Sequence, residues 1–149
     1  MIIWYTFPMI IGIDLGGTKI AGVLTTLSGK FLMDVQVPTE AYKGKKQVIE
    51  NIKKAIRLLI SSKKSIKLEA IGIGAPGPIL YDRGIVMEAP NLPGWKRVNI
   101  KKVLHQQFHV PVFVDNDANC AALAELKFGA GRGHKNFVYI TVSPGVGGG

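Results

Sequence analysis

Residues 9–13 form an unbroken apolar run, and residues 20–24 regain that character after the interruption Asp14-Leu15-Gly16-Gly17-Thr18-Lys19. Such runs predict buried strands, here two strands joined by a double-glycine turn. Ser28-Gly29 marks the next turn, and residues 30–37 alternate enough for a third strand, which Pro38 closes. The expected start is therefore an antiparallel meander. Across residues 45–62, Val48, Ile49, Ile52, Ile56, Leu59 and Ile60 fall at helical spacing with lysines opposite, predicting an amphipathic helix packed on the sheet. Residues 68–75 return to strand character until Pro76, Gly77 and Pro78 break it. A short strand at 85–88, a turn at 91–95 and a helix at 99–108 ended by Pro111 come next. Residues 111–114 make another buried strand, and 118–128, rich in Ala and Leu, a third helix. A glycine loop at 129–133, a last strand at 137–142 and a terminal glycine loop complete the pattern.

Three meander strands followed by alternating helices and strands specify an α/β domain with a mixed sheet and one antiparallel edge. In such sheets ligands gather at the carboxyl ends of the strands, where residues 14–19, 115–117 and 143–149 are expected to converge. The first segment suits phosphate. Gly16 and Gly17 let backbone N–H groups approach an anion, Thr18 and Lys19 add donors, and the Asp14 carboxylate can orient a metal. The same residues also describe a tight hairpin with a charged strand end. Asp115-Asn116-Asp117-Ala118-Asn119 places carboxylates and amides where a helix begins. They can cap that helix, or they can match sugar hydroxyls and supply a general base; capping alone calls for one such residue.

At 149 residues the chain is long enough for one domain with a real core. Its net charge of +9 comes from 15 lysines and 4 arginines scattered over the expected helices and loops. That distribution favours anionic ligands without describing a nucleic-acid reading surface, so no nucleic-acid partner is expected. Cys120 is the only cysteine, which excludes an intrachain disulfide and a cysteine-based zinc site and fits a cytoplasmic setting. Residues 1–8 read as an extension before a natural start at Met9. They are too short to span a bilayer and lack the basic start of a secretory signal.

Several motif matches fail on mechanism. Gly72-Ile73-Gly74-Ala75-Pro76-Gly77 has dinucleotide-loop spacing, yet Pro76 and Pro78 oppose a helix starting there to face pyrophosphate. Residues 115–126 open like a calcium loop, but Cys120 stands where glycine is required and Leu126 where glutamate is. His105 and His109 lie four apart on a helix without the glutamate of a zinc protease, and there is no P-loop pattern.

Taken together, Ile13-Asp14-Leu15-Gly16-Gly17-Thr18-Lys19, Ala75-Pro76-Gly77-Pro78, Ala89-Pro90-Asn91-Leu92-Pro93-Gly94-Trp95 and Asp115-Asn116-Asp117-Ala118-Asn119 resemble, in order, the motifs of the N-terminal part of the ROK family (repressors, open reading frames and kinases). The resemblance implies an actin-like ATPase (ribonuclease H-like) lobe over residues 9–149. It also implies an ATP-dependent, magnesium-using sugar kinase of glucokinase type, serving glycolysis. Asp117 is then the catalytic base, and Gly77, Asn91 and Asn116, with Asp117, bind the hexose. Asp14, Gly16, Gly17, Thr18 and Lys19 on one side, and Thr141, Gly145 and Gly147 on the other, face ATP, with Asp14 toward magnesium.

Two departures accompany the resemblance. Pro144 stands where the family's second phosphate motif usually has threonine, which deletes a hydroxyl and a backbone donor and leaves Ser143 or Thr141 as the nearest hydroxyls. The family's sugar-binding Glu and His, its zinc-binding Cys/His cluster and its C-terminal lobe have no counterpart up to Gly149. The isolated chain is accordingly expected to transfer little phosphate, and a full-length form to be a homo-oligomer. Fructose and N-acetylmannosamine are alternative acceptors to glucose. A sugar-responsive transcriptional regulator and a truncated non-catalytic remnant are alternative functions.

Overall fold

The computed structural model describes residues 7–62, 66–142 and 146–149. Its centre is a five-stranded sheet in the order β3-β2-β1-β4-β8. Strands β1 (Phe7–Leu15), β2 (Lys19–Thr26) and β3 (Phe31–Pro38) form the expected antiparallel meander. Strand β4 (Ile66–Ala75) adds parallel to β1 with Asp14 opposite Gly74, and β8 (Val112–Asn116) adds parallel to β4 with Ala75 opposite Asn116. Asp14 and Asn116 therefore lie at the same end of the sheet, the carboxyl ends of its parallel strands, which is what places the site.

Although β1 is apolar throughout, its burial alternates. Met9, Ile11, Ile13 and Leu15 enter the core, joined by Ile20 and Leu24 of β2. Helix α1 (Lys45–Ser61) covers this face with Val48, Ile52, Ala55, Ile56 and Leu59. Full burial of one such side chain is worth about 1.5–3 kcal/mol, so this layer dominates the fold's stability. The opposite face is floored by Gly12, Gly72 and Gly74 and crossed by α3 (Asp117–Phe128). A Cβ on Gly74 would already touch the helix, 3.5 Å from the Asp117 Cα and 3.6 Å from the Cys120 Sγ, so a side chain larger than alanine there would meet α3.

The structure corrects the expected element order in four places. Between β4 and β8 lies a separate three-stranded antiparallel sheet of β5 (Ile79–Leu80), β6 (Ile85–Glu88) and β7 (Lys96–Asn99). The strand at 85–88, Ile-Val-Met-Glu, is as expected, while β5 has only two residues and β7, Lys-Arg-Val-Asn, only one apolar position, so neither carries a readable pattern. Helix α2 (Ile100–Phe108) starts one residue late, because the Asn99 side chain accepts from the Lys102 N–H as its cap. The last strand is confined to β9 (Ile140–Val142), and it pairs with β10 (Val146–Gly148) in a hairpin apart from the main sheet. The terminal glycine loop is thus partly strand. At the other end, Phe7 and Pro8, assigned to an extension by sequence, pair with Ile66 and Lys67 inside β1.

Candidate active site

Asp14 leads the glycine turn between β1 and β2. Gly16 N–H donates to the Lys19 carbonyl at 3.0 Å, and a Cβ on Gly16 would fall 2.8 Å from that same oxygen. A Cβ on Gly17 would fall 3.0 Å from the Asn91 Cβ. Both glycines are required for space, and Gly17 brings the turn against Asn91. Asn91 itself rides on a loop whose base is closed by bonds from Leu92 N–H to the Ala89 carbonyl and from Trp95 N–H to the Leu92 carbonyl, with Leu92 and Trp95 buried beneath.

At the end of β8, Asn116 caps α3, its Oδ1 accepting from Ala118 N–H at 2.9 Å and Asn119 N–H at 3.4 Å. Its Nδ2 donates to the Gly77 carbonyl at 3.2 Å. Gly77 sits at φ 84°, where a Cβ would lie 2.0 Å from the Glu88 carbonyl oxygen, so no other residue fits. Asp115 Oδ1 accepts from Asn116 N–H at 2.7 Å and from Asn119 Nδ2 at 3.0 Å, while Asp117 Oδ1 accepts from Ala118 N–H at 2.8 Å. Two of the four polar side chains, Asn116 and Asp117, thus accept from first-turn N–H groups, where capping alone was expected to need one, and Asp115 ties Asn116 to Asn119. The Asn116 amide is engaged at both ends and braces the Gly77 loop against the helix. The second oxygen of Asp117 has no such partner among the described residues, and the residue is exposed.

A cleft of about 730 Å³ joins most of these groups. It is lined by Gly77, Pro78 and Asn91, by Asp115 to Asn119, and by Thr141, Gly147 and Gly148. Six residues singled out by sequence, Gly77, Asn91, Asn116, Asp117, Thr141 and Gly147, thus line one cavity. Asp14 lies just behind Asp117, in a second groove that Asp117 shares. Burial raises the Asp14 pKa above the usual carboxylate value, the Asp117 charge raises it further, and Lys19 partly offsets both. Gly16, Thr18 and Lys19 belong to the turn and line neither cavity. Gly145, with Ser143 and Pro144, lies outside the described residues.

No group of three or more His, Cys, Asp or Glu converges on a metal site among the described residues. Lone carboxylates suit magnesium that keeps its waters and is shared with a phosphate chain, which is how Asp14 fits the ion. His105 instead uses Nδ1 on the Val110 carbonyl at 2.9 Å, and His109 is the left-handed cap of α2. At Pro76 the chain leaves β4 with no helix following, so the dinucleotide reading lacks its helix N-terminus. Two polar residues escaped the sequence reading. Thr39 and Asn51 are both buried, and Asn51 stands among the inward positions of α1, the one signal available.

The mixed sheet with its cleft at the strand ends defines an α/β domain of the actin-like ATPase fold. The chain belongs to the ROK family, whose sequence model matches residues 10–149. A glucokinase from Halalkalibacterium halodurans is 40% identical over 148 residues, 98% of this chain and 43% of the relative. A xylose repressor from Bacillus subtilis is 35% identical over 140 residues, 92% of this chain and 35% of the repressor. Among solved structures, a ROK family glucokinase from Streptomyces griseus in complex with glucose and AMPPNP superposes with a TM-score of 0.83 at 36% identity, over 94% of this chain and 43% of that one. The chain thus spans less than half the length of these relatives.

Proposed function

We propose that this chain provides the acceptor-sugar and first phosphate-binding elements of an ATP-dependent sugar kinase of glucokinase type. The observation that carries the reading is the meeting of Asp14, at the end of β1, with Asp117, at the start of α3 just past β8, in one shared groove, one carboxylate leading the turn that only glycines fit and the other facing the cleft. A hexose in the cleft presents a hydroxyl to the unpartnered oxygen of Asp117, which takes its proton as the sugar oxygen bonds to the γ-phosphorus and the bond from that phosphorus to the β–γ bridging oxygen breaks, releasing ADP. General-base action of this kind is worth about 10²- to 10⁴-fold in rate. Asn91 and Gly77 orient the sugar, and Gly17, Thr18 and Lys19 present donors to the phosphates, while Gly16, its N–H bonded to the Lys19 carbonyl, closes the turn. Asp14 would hold magnesium, which would supply the charge neutralisation that phosphoryl transfer requires besides alignment. Thr141 and Gly147 close the cleft from the β9–β10 side, with Gly145 assigned there by resemblance. The relatives' additional length would complete that clamp, so the isolated chain turns over little.

A chimera that continues this chain with the matching remainder of the Halalkalibacterium glucokinase tests the reading. Coupled ADP release with a hexose panel is expected, and Asp117→Asn should abolish it while sugar binding persists; surviving turnover would remove Asp117 as the base. For the isolated chain, turnover of about 1–100 s⁻¹, the ordinary kinase range, would sink the incomplete-site argument. The likeness to a xylose repressor supports one other reading, a sugar-responsive regulator. A chimera that binds sugar and releases no ADP selects it.

A further inference from the structure

Thr39 and Asn51, two polar side chains buried in the core, both act on the glycine turn. Thr39 Oγ1 donates to the Gly16 carbonyl at 2.7 Å, across 23 residues of sequence. Its backbone N–H donates to the Thr18 carbonyl at 2.9 Å. One residue at the end of β3 therefore holds two carbonyls of the turn. In a trans peptide the C=O and the following N–H point in opposite directions. Drawing the Gly16 and Thr18 carbonyls back onto Thr39 consequently turns the Gly17 and Lys19 N–H groups to the side away from it.

Thr39 is in turn fixed from α1. Asn51 Nδ2 lies 3.0 Å from the Pro38 carbonyl, 3.2 Å from the Thr39 carbonyl and 3.0 Å from Glu40 Oε2, while its Oδ1 accepts from Gln47 Nε2 at 3.1 Å. Two amide hydrogens are shared among three acceptors, so the segment is gripped on every side. Glu40, in the left-handed region at φ 54°, is further held by Gln47 and Lys43. Nothing about β-sheet pairing requires this. An apolar residue at either position would fill the core as well, and buried polar groups cost stability unless fully bonded.

We infer that Thr39 and Asn51 are positioning residues that hold the Gly16–Lys19 turn in its anion-receiving shape by pinning its carbonyls backwards. The inference rests on the phosphate role proposed above for that turn, and its test separates the two. In the 149-residue chain, Thr39→Val keeps the shape and removes the hydroxyl. Amide exchange at Gly16 and at position 39, whose N–H groups are bonded to the Lys19 and Thr18 carbonyls, should then quicken by about tenfold or more while Ile11 and Ile13 stay protected. Binding of magnesium–AMPPNP should weaken about tenfold, with glucose affinity within about twofold, and Thr39→Ser should restore both readouts. Asn51→Ala, which frees the segment without touching the turn, should give a smaller change of the same kind and serves if Thr39→Val does not fold. Unchanged exchange at the turn, or nucleotide and glucose affinities that fall together, overturns the positioning role. Where the wild-type chain shows no nucleotide binding, the same pair of readouts is taken in the chimera described above, and a chimera that binds glucose but no nucleotide overturns instead the phosphate role of the turn.

Discussion

Helices α1 and α3 lie on opposite faces of one sheet and are held by different means. Of the 17 residues of α1, an apolar stripe with Asn51 among it is buried, whereas of the 12 residues of α3 only Ala118 is. Leu123 is 58% exposed and Phe128 69%. What fastens α3 is its two ends. Asn116, Asp117 and Asp115 bond its first turn, and the Phe128 ring comes within 3.1 Å of where a Cβ on Gly29 would stand. One helix makes the domain stable, and the other is placed so that its N-terminus presents Asp117. The comparison teaches that apolar content alone is a poor guide to what a helix contributes, since α3 is the more uniformly apolar of the two.

The sharpest way to break this contrast is a pair of truncations read by chemical denaturation. Ile56→Ala, in the fully buried α1 layer, should cost about 2–5 kcal/mol, while Leu123→Ala should stay within about 0.5 kcal/mol. A smaller effect is expected on the glycine floor. Gly74→Val would press its methyl groups into α3 and should cost about 1–3 kcal/mol, with displacement of Asp117 visible as altered sugar-induced NMR shifts. Removing the cap by Asn116→Ala should cost about 1 kcal/mol and also free the Gly77 loop, so loss of helicity at the start of α3 should accompany it. The subtlest test concerns Cys120, whose pKa is pushed up to about 11 by burial and by Asp115, Asp117 and Asp14. With the thiol ionising near 9 when unfolded, alkylation at pH 8 should be about 100-fold slower in the folded chain, quickening as pH rises toward 11. The sign follows for stability: the contribution is complete below pH 9 and is lost as pH rises through the folded value. Alkylation at the unfolded rate would mean that α3 does not lie down on the sheet.

How much of this was legible depended on the range of the interactions. The meander and α1 were readable because apolar runs and helical spacing are local signals, and Asp14, Asp117, Gly77 and Asn91 were readable because they sit in compact motifs. Strands β5 and β7 were not, the one having two residues and the other a single apolar position, and β10 was hidden because glycines carry no pattern. The parting of β9 from the main sheet is a matter of pairing partners, which composition does not encode. Thr39 stayed invisible for a related reason. Its meaning lies in a carbonyl 23 residues away, and a lone threonine after a proline announces nothing.

The bonds that set the two halves of the site differ in span: Thr39 reaches Gly16 across 23 residues, and Asn116 reaches Gly77 across 39. The difference in loop-closure entropy is only about 0.5 kcal/mol, too little to order two events in time. What orders them is prerequisite structure. The glycine turn needs only the local meander and α1, whereas the Asp117 wall needs β4 and β8 docked in register first. Folding should therefore complete the phosphate side before the sugar side, and pulse-labelled exchange should protect Thr39 earlier than Ala118. A ribosome would finish one half of this site while the other was still being made.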